Sequence, residues 1–194
     1  AGSRVEHNEG GGIYLDSDAG SLSVTQTELR HNLGTLGGGL RVVRGHVTLD
    51  GCTLSANTAL ASGGAVRFEA PGSSLVLSSC TLDANTAAES GGALSVVAEG
   101  ASVSLTAVTC ENNRAMAGSG GCVEARHFIT ASVLDSDIRD NSASEAGGGL
   151  CFADAPFGTV SVQKCTISAN QSPLGGGISA VGTTMAQREE IGRA

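Results

Sequence analysis

Six cysteines, two runs of closely spaced carboxylates, two histidines in a shared sequence context and a single lysine are the residues of this 194-residue chain on which chemistry could rest. Asp16-Ser17-Asp18-Ala19-Gly20 places carboxylates at alternate positions, as the opening of a calcium loop does, and Asp135, Asp137 and Asp140 form a second acidic cluster. Neither stretch brings the remaining oxygen donors of a complete loop. Solvated turns are therefore expected, with Asp16 and Asp18 as weak metal-ligand candidates and no cofactor. His7 and His31 could begin a zinc site, but no third ligand accompanies them, and exposed polar residues are expected there. The cysteines, at 52, 80, 110, 122, 151 and 165, suggest oxidation in an exported chain.

What must position these residues is a repeated unit. Cys80-Thr-Leu-Asp-Ala-Asn-Thr-Ala-Ala-Glu-Ser-Gly-Gly-Ala-Leu94 shows it: an apolar residue three positions before an asparagine, a turn of small residues, then two glycines, a small residue and an aliphatic one. The stencil recurs seven times, marked by Asn8, Asn32, Asn57, Asn85, Asn113, Asn141 and Asn170, at intervals of 24, 25, 28, 28, 28 and 29 residues. A fixed period of this size is the signature of a solenoid, in which each repeat stacks on the next.

Alternation within the repeat yields strands. Three and five positions before each asparagine stand apolar or small residues such as Leu54 and Cys52, or Leu82 and Cys80, two apart and so on one face. A second inward pair, for example Leu77 and Leu75, precedes these, and the change of parity between the two predicts a turn. A third pair follows the glycines, for example Leu94 and Val96. Three short strands per repeat predict an all-β fold, a parallel β-helix of about six to seven coils over residues 1–182, with neighbouring rungs ~4.8 Å apart. From residue 183 to 194 a polar tail or cap is expected. Glycine pairs suit corners with positive φ, and asparagine tolerates the left-handed region. Stacked at one corner, the seven asparagines are expected to form a side-chain ladder that satisfies inward-facing amides.

The columns rank the chemical candidates. Cys52 and Cys80 share an inward column on adjacent rungs, within reach of a disulfide, and Cys122 and Cys151 are placed outward on neighbouring rungs, offset by two residues, as a second candidate pair. Polysaccharide lyases and hydrolases need paired carboxylates in a groove, or calcium with a basic residue. The single Lys164 and the scattered aspartates are not read as lining one outer face, so no enzyme activity is expected. An outward column of Thr53, Thr81, Thr109, Asp137 and Thr166 has a charged neighbour column, which disfavours an ice-binding plane. The sequon Asn170-Gln171-Ser172 sits in the ladder column and is expected to be hidden.

Composition closes off other classes. Four Phe, one Tyr and no Trp against 29 Gly suit thin rungs rather than a globular core of bulky rings. A formal charge of −8, with scattered arginines, argues against nucleic acid and acidic membrane surfaces. No apolar run approaches the ~20 residues of a membrane span. Ala1 falls inside a repeat, so a mature or excised piece of a longer protein is expected.

The two signatures, an aliphatic residue three before Asn and Gly63-Gly64-Ala65-Val66 or Gly91-Gly92-Ala93-Leu94, resemble the repeats of the chlamydial polymorphic membrane proteins, Phe-x-x-Asn and Gly-Gly-Ala-(Ile/Leu/Val). Here Val, Leu, Ile or Cys replaces the Phe. The resemblance, over roughly residues 3 to 181, implies a right-handed parallel β-helix exported to the cell surface and used in adhesion or as a structural stalk. It implies as partners other segments of the same surface protein, neighbouring surface proteins, and extracellular or host glycans and proteins, with no direct membrane insertion. The alternatives are a pectin-lyase-like, carbohydrate-active β-helix enzyme and a protein-binding module in a surface assembly.

Overall fold

Short strands closed by tight corners, repeated every 24 to 29 residues, wind the chain into a coil whose successive turns pair edge to edge. The computed structural model describes residues 2–185, and among them are twenty-four strands and no helix. None of the described residues forms a helix long and apolar enough to cross a membrane. All pairings are parallel, and about six turns are stacked.

The first sheet holds seven three-residue strands, from Arg4–Glu6 through Thr81–Asp83 to Thr166–Ser168, in strict sequence order. Its register sets Leu54, Leu82, Cys110 and Ile138 in one column, each fully buried. The large third sheet carries two runs per coil. In the first two coils these are continuous strands, Ile13–Thr25 and Leu40–Asp50; later coils split them, as in Val66–Phe68 and Ser74–Ser78, around a turn at Pro71-Gly72 where Gly72 has positive φ. Between the first and third sheets lies a five-stranded ladder of two-residue strands, Leu33–Gly34, Thr58–Ala59, Thr86–Ala87, Arg114–Ala115 and Ser142–Ala143. The expected three strands per coil thus become four. Two residues are too few to leave an alternation in the sequence.

Positive φ occurs in the glycine pairs as expected, at Gly11, Gly63, Gly91 and Gly120, but the asparagine corner differs in which residue bends. Left-handed φ falls on the residue before each asparagine, at His7, His31, Ala56, Ala84, Asn112, Asp140 and Ala169. The ladder asparagine itself can then turn its side chain inward. A second left-handed column, six positions before the asparagine, comprises Gln26, Gly51, Ser79, Ala107, Asp135 and Lys164; it is the turn that the parity change called for.

The core is a narrow aliphatic column with Phe68 and Phe152 as its largest fully buried side chains. At the far end the ladder passes the boundary expected at 182: Thr184–Met185 pairs with Thr159 and Val160. The rest of the expected tail lies outside the described residues.

Candidate functional site

The asparagines form one continuous chain of side-chain hydrogen bonds. From Asn8 to Asn170 each Nδ2 donates to the Oδ1 of the next coil's asparagine at 2.9–3.0 Å. The same Oδ1 accepts the preceding asparagine's backbone N–H, as in Asn57 N to Asn85 Oδ1 at 3.0 Å. The second Nδ2 proton goes back to a carbonyl, Leu54 O for Asn85 and Ile138 O for Asn170, which leaves the sequon asparagine engaged. Asn32, Asn57, Asn85, Asn113 and Asn141 are buried. Every polar atom of such a side chain is used, so the ladder's capacity is to join coils, not to react.

A parallel column of hydroxyls and thiols stands five positions before the asparagine. Thr27 Oγ1 donates to Thr25 O at 2.8 Å, Ser136 Oγ to Leu134 O at 2.8 Å, Cys52 Sγ to Val24 O at 3.3 Å and Cys80 Sγ to Leu49 O at 3.4 Å. Neither candidate disulfide forms: Cys52, Cys80 and Cys151 are free, and the bridge joins Cys110 to Cys122, with Cα atoms 6.1 Å apart. Cys52 and Cys80 share a column, but each thiol donates to a strand carbonyl of the preceding coil. Cys122 is not outward; it follows the glycine pair in register with Ala93 and faces the interior, across from Cys110 of the same coil. Cys151 lies on the opposite side of its strand, opposite Glu124. Burial pushes the Cys80 thiol up to about 11, and raises those of Cys151 and Cys165. A thiol so protonated is a poor nucleophile.

All but Asp135 of the acidic motifs pair with arginine. Asp16 and Asp18 both pair with Arg44, Asp16 at 2.5 Å, and that guanidinium hydrogen bond holds the Asp16 carboxyl below the usual carboxylate range. Around Arg139 gather Asp137 at 3.0 Å, Asp140 at 3.8 Å and Glu111. Among the described residues no group of three or more His, Cys, Asp or Glu is placed to hold a metal. His7 and His31 stack, ring centroids 5.1 Å apart, at their left-handed corner.

Two arrangements were not anticipated from the strand pattern. Lys164 and Asp135 occupy the same left-handed column on neighbouring coils, and with Asp137, Thr109 and Thr166 they line a cleft of about 370 Å³. The residues read as scattered are therefore neighbours on one edge; counting six back from each asparagine would have aligned them. A cleft of about 650 Å³, lined by Arg4, Gln26, Glu28 and Thr53, lies on the same edge at the other end. Chemically, the cleft is lined by carboxylates and an amine, groups of the types that accept and donate protons.

The other arrangement lies on the outer side of the strands after the glycines, a side expected to face water. Ser95, Glu124 and Cys151 are buried there. Glu124 accepts from Arg126 Nε at 2.8 Å and Ser95 Oγ at 3.2 Å, and Arg67 Nη1 donates to Ser95 Oγ at 2.9 Å. The glycine corner folds over them so closely that a methyl on Gly91 would come 2.7 Å from Ser95 Cβ.

Comparison with known families places this geometry. The family model of the right-handed β-helix region matches residues 1–188. No match was found among the curated proteins or among the solved structures. The stacked parallel coils and this match over nearly the whole sequence establish that the chain belongs to the right-handed β-helix family.

Proposed function

We propose that this chain is a non-catalytic, extracellular β-helix segment, a rigid stalk or surface-presenting module of a larger cell-surface protein or assembly. Its repeats resemble those of the chlamydial polymorphic membrane proteins, and its partners are other segments of the same protein, neighbouring surface proteins and extracellular ligands. The observation that carries the proposal is the uninterrupted chain of seven asparagines along the stacked turns, which commits buried polar groups to joining coils. Incubation with acidic polysaccharides tests it: no unsaturated or reducing ends are expected, and sustained turnover would overturn the proposal.

A carbohydrate-acting enzyme is the alternative that one observation favours, the cleft of Asp135, Asp137 and Lys164. In that case Lys164→Ala would abolish end formation without changing the fold; in a stalk it changes neither.

A further inference from the structure

We propose that one outer face of the third sheet is a docking plane for an uncharged, insoluble polysaccharide; this rests on the adhesive role above and names its partner. The face is built by the second run of strands: the ends of Ile13–Thr25 and Leu40–Asp50, then Ser74–Ser78, Ser102–Thr106, Thr130–Leu134 and Thr159–Gln163. Their register puts alternate residues in three outward columns. Of those eighteen positions thirteen are Ser or Thr, the exceptions being His46, Asp50, Val76, Leu134 and Gln163.

Charge separates this plane from the others. It carries one carboxylate, although the chain as a whole bears −8. The outer face of the first sheet, by contrast, is crossed by Arg4–Glu28, Arg30–Glu6 and Arg139–Glu111 pairs. Among the described residues the side-chain hydrogen bonds between groups of the hydroxyl plane are His46 with Ser74 and Gln163 with Ser161. The other hydroxyls stand at partly or fully exposed positions of the outer face.

Size and chemistry select the occupant. Six strands ~4.8 Å apart and three columns at ~3.3 Å per residue span about 24 by 13 Å, on the order of 300 Å². A stable protein partner needs about 800 Å² a side. An acidic polymer would find no cation here and would meet the net negative charge. With no aromatic ring to stack on, a single sugar gains little. A regular array of neutral hydroxyls in register from coil to coil instead matches another periodic array of neutral hydroxyls, where many weak bonds sum along the rungs.

Retention of the folded chain on microcrystalline cellulose particles tests the proposal. The wild type should be retained, with less than about a twofold change between ~0.05 and ~1 M sodium chloride, because no ion pair is screened. Ser104→Lys with Ser132→Lys, at the centre of the plane, should lower the partition coefficient about tenfold or more. The Ser104→Thr, Ser132→Thr pair and the control Thr81→Lys on the first sheet should bind as the wild type does. Circular dichroism melts establish that each variant is folded. An unretained wild type, retention that collapses with salt, or a double-lysine variant that binds normally would overturn the proposal. Release of sugar ends by the wild type would instead defeat the non-catalytic role, whatever the retention.

Discussion

At the scale of residues, the asparagine and thiol columns do different work from the same inward side. Asn113 donates to Asn141 Oδ1, Leu82 O and Glu111 O and accepts from Asn85, so its removal strands buried groups on two coils. Asn113→Ala should lower unfolding stability by about 1–3 kcal/mol, read from the denaturant midpoint; an unchanged midpoint would refute the ladder's role. Cys80 makes a pH prediction. Its folded thiol titrates near about 11, above its ordinary 9.0, because burial disfavours the thiolate. The folded state thus holds that proton more tightly than the unfolded chain. The resulting stabilisation is complete below pH 9 and is lost as pH rises through the folded value. Melting temperature should therefore fall less steeply across this alkaline window in Cys80→Ala than in the wild type; parallel slopes would contradict the assignment.

At the scale of elements, the glycine corners set how closely coils approach. Gly92 N–H donates to Gly120 O at 2.9 Å, and a methyl on Gly92 would lie 2.1 Å from Gly121 O. Backbone cannot yield as a flexible side chain can, so Gly92→Ala should destabilise by about 1–3 kcal/mol or more. Gly72→Ala, at φ +63° with nothing within 4 Å, should cost only the left-handed penalty of about 1 kcal/mol. Equal midpoints for the two variants would show that the corner is not close-packed. These corners also explain what the sequence revealed and what it hid. Leu54, Leu82 and Ile138 could be placed inward because a parallel ladder repeats the same position every coil. Thr86–Ala87 could not be seen as a strand, since two residues hold no period. Ser95 and Glu124 looked water-facing by alternation, and alternation says nothing about a loop that returns over the strand. The Cys110–Cys122 bridge was missed because pairs were sought between coils, whereas this one crosses a single coil. Lys164 and Asp135 escaped notice because the alignment followed strand positions and skipped the left-handed corner.

At the scale of the molecule, all three sheets advance together, so a coil cannot be loosened without unpairing its neighbours. The interior offers an aliphatic filling and a chain of amides, and the reachable features are outer planes and an edge with two clefts. Cooperativity along the axis is expected from that distribution, as each coil of a solenoid is coupled to its nearest neighbours. Native-state hydrogen exchange at the backbone amides of Asn32, Asn57, Asn85, Asn113 and Asn141, each bonded to the next asparagine's Oδ1, tests this most directly. All five should exchange only through global unfolding, with one shared free energy. Exchange of individual coils at separate, much lower free energies would contradict a single rigid, laddered body.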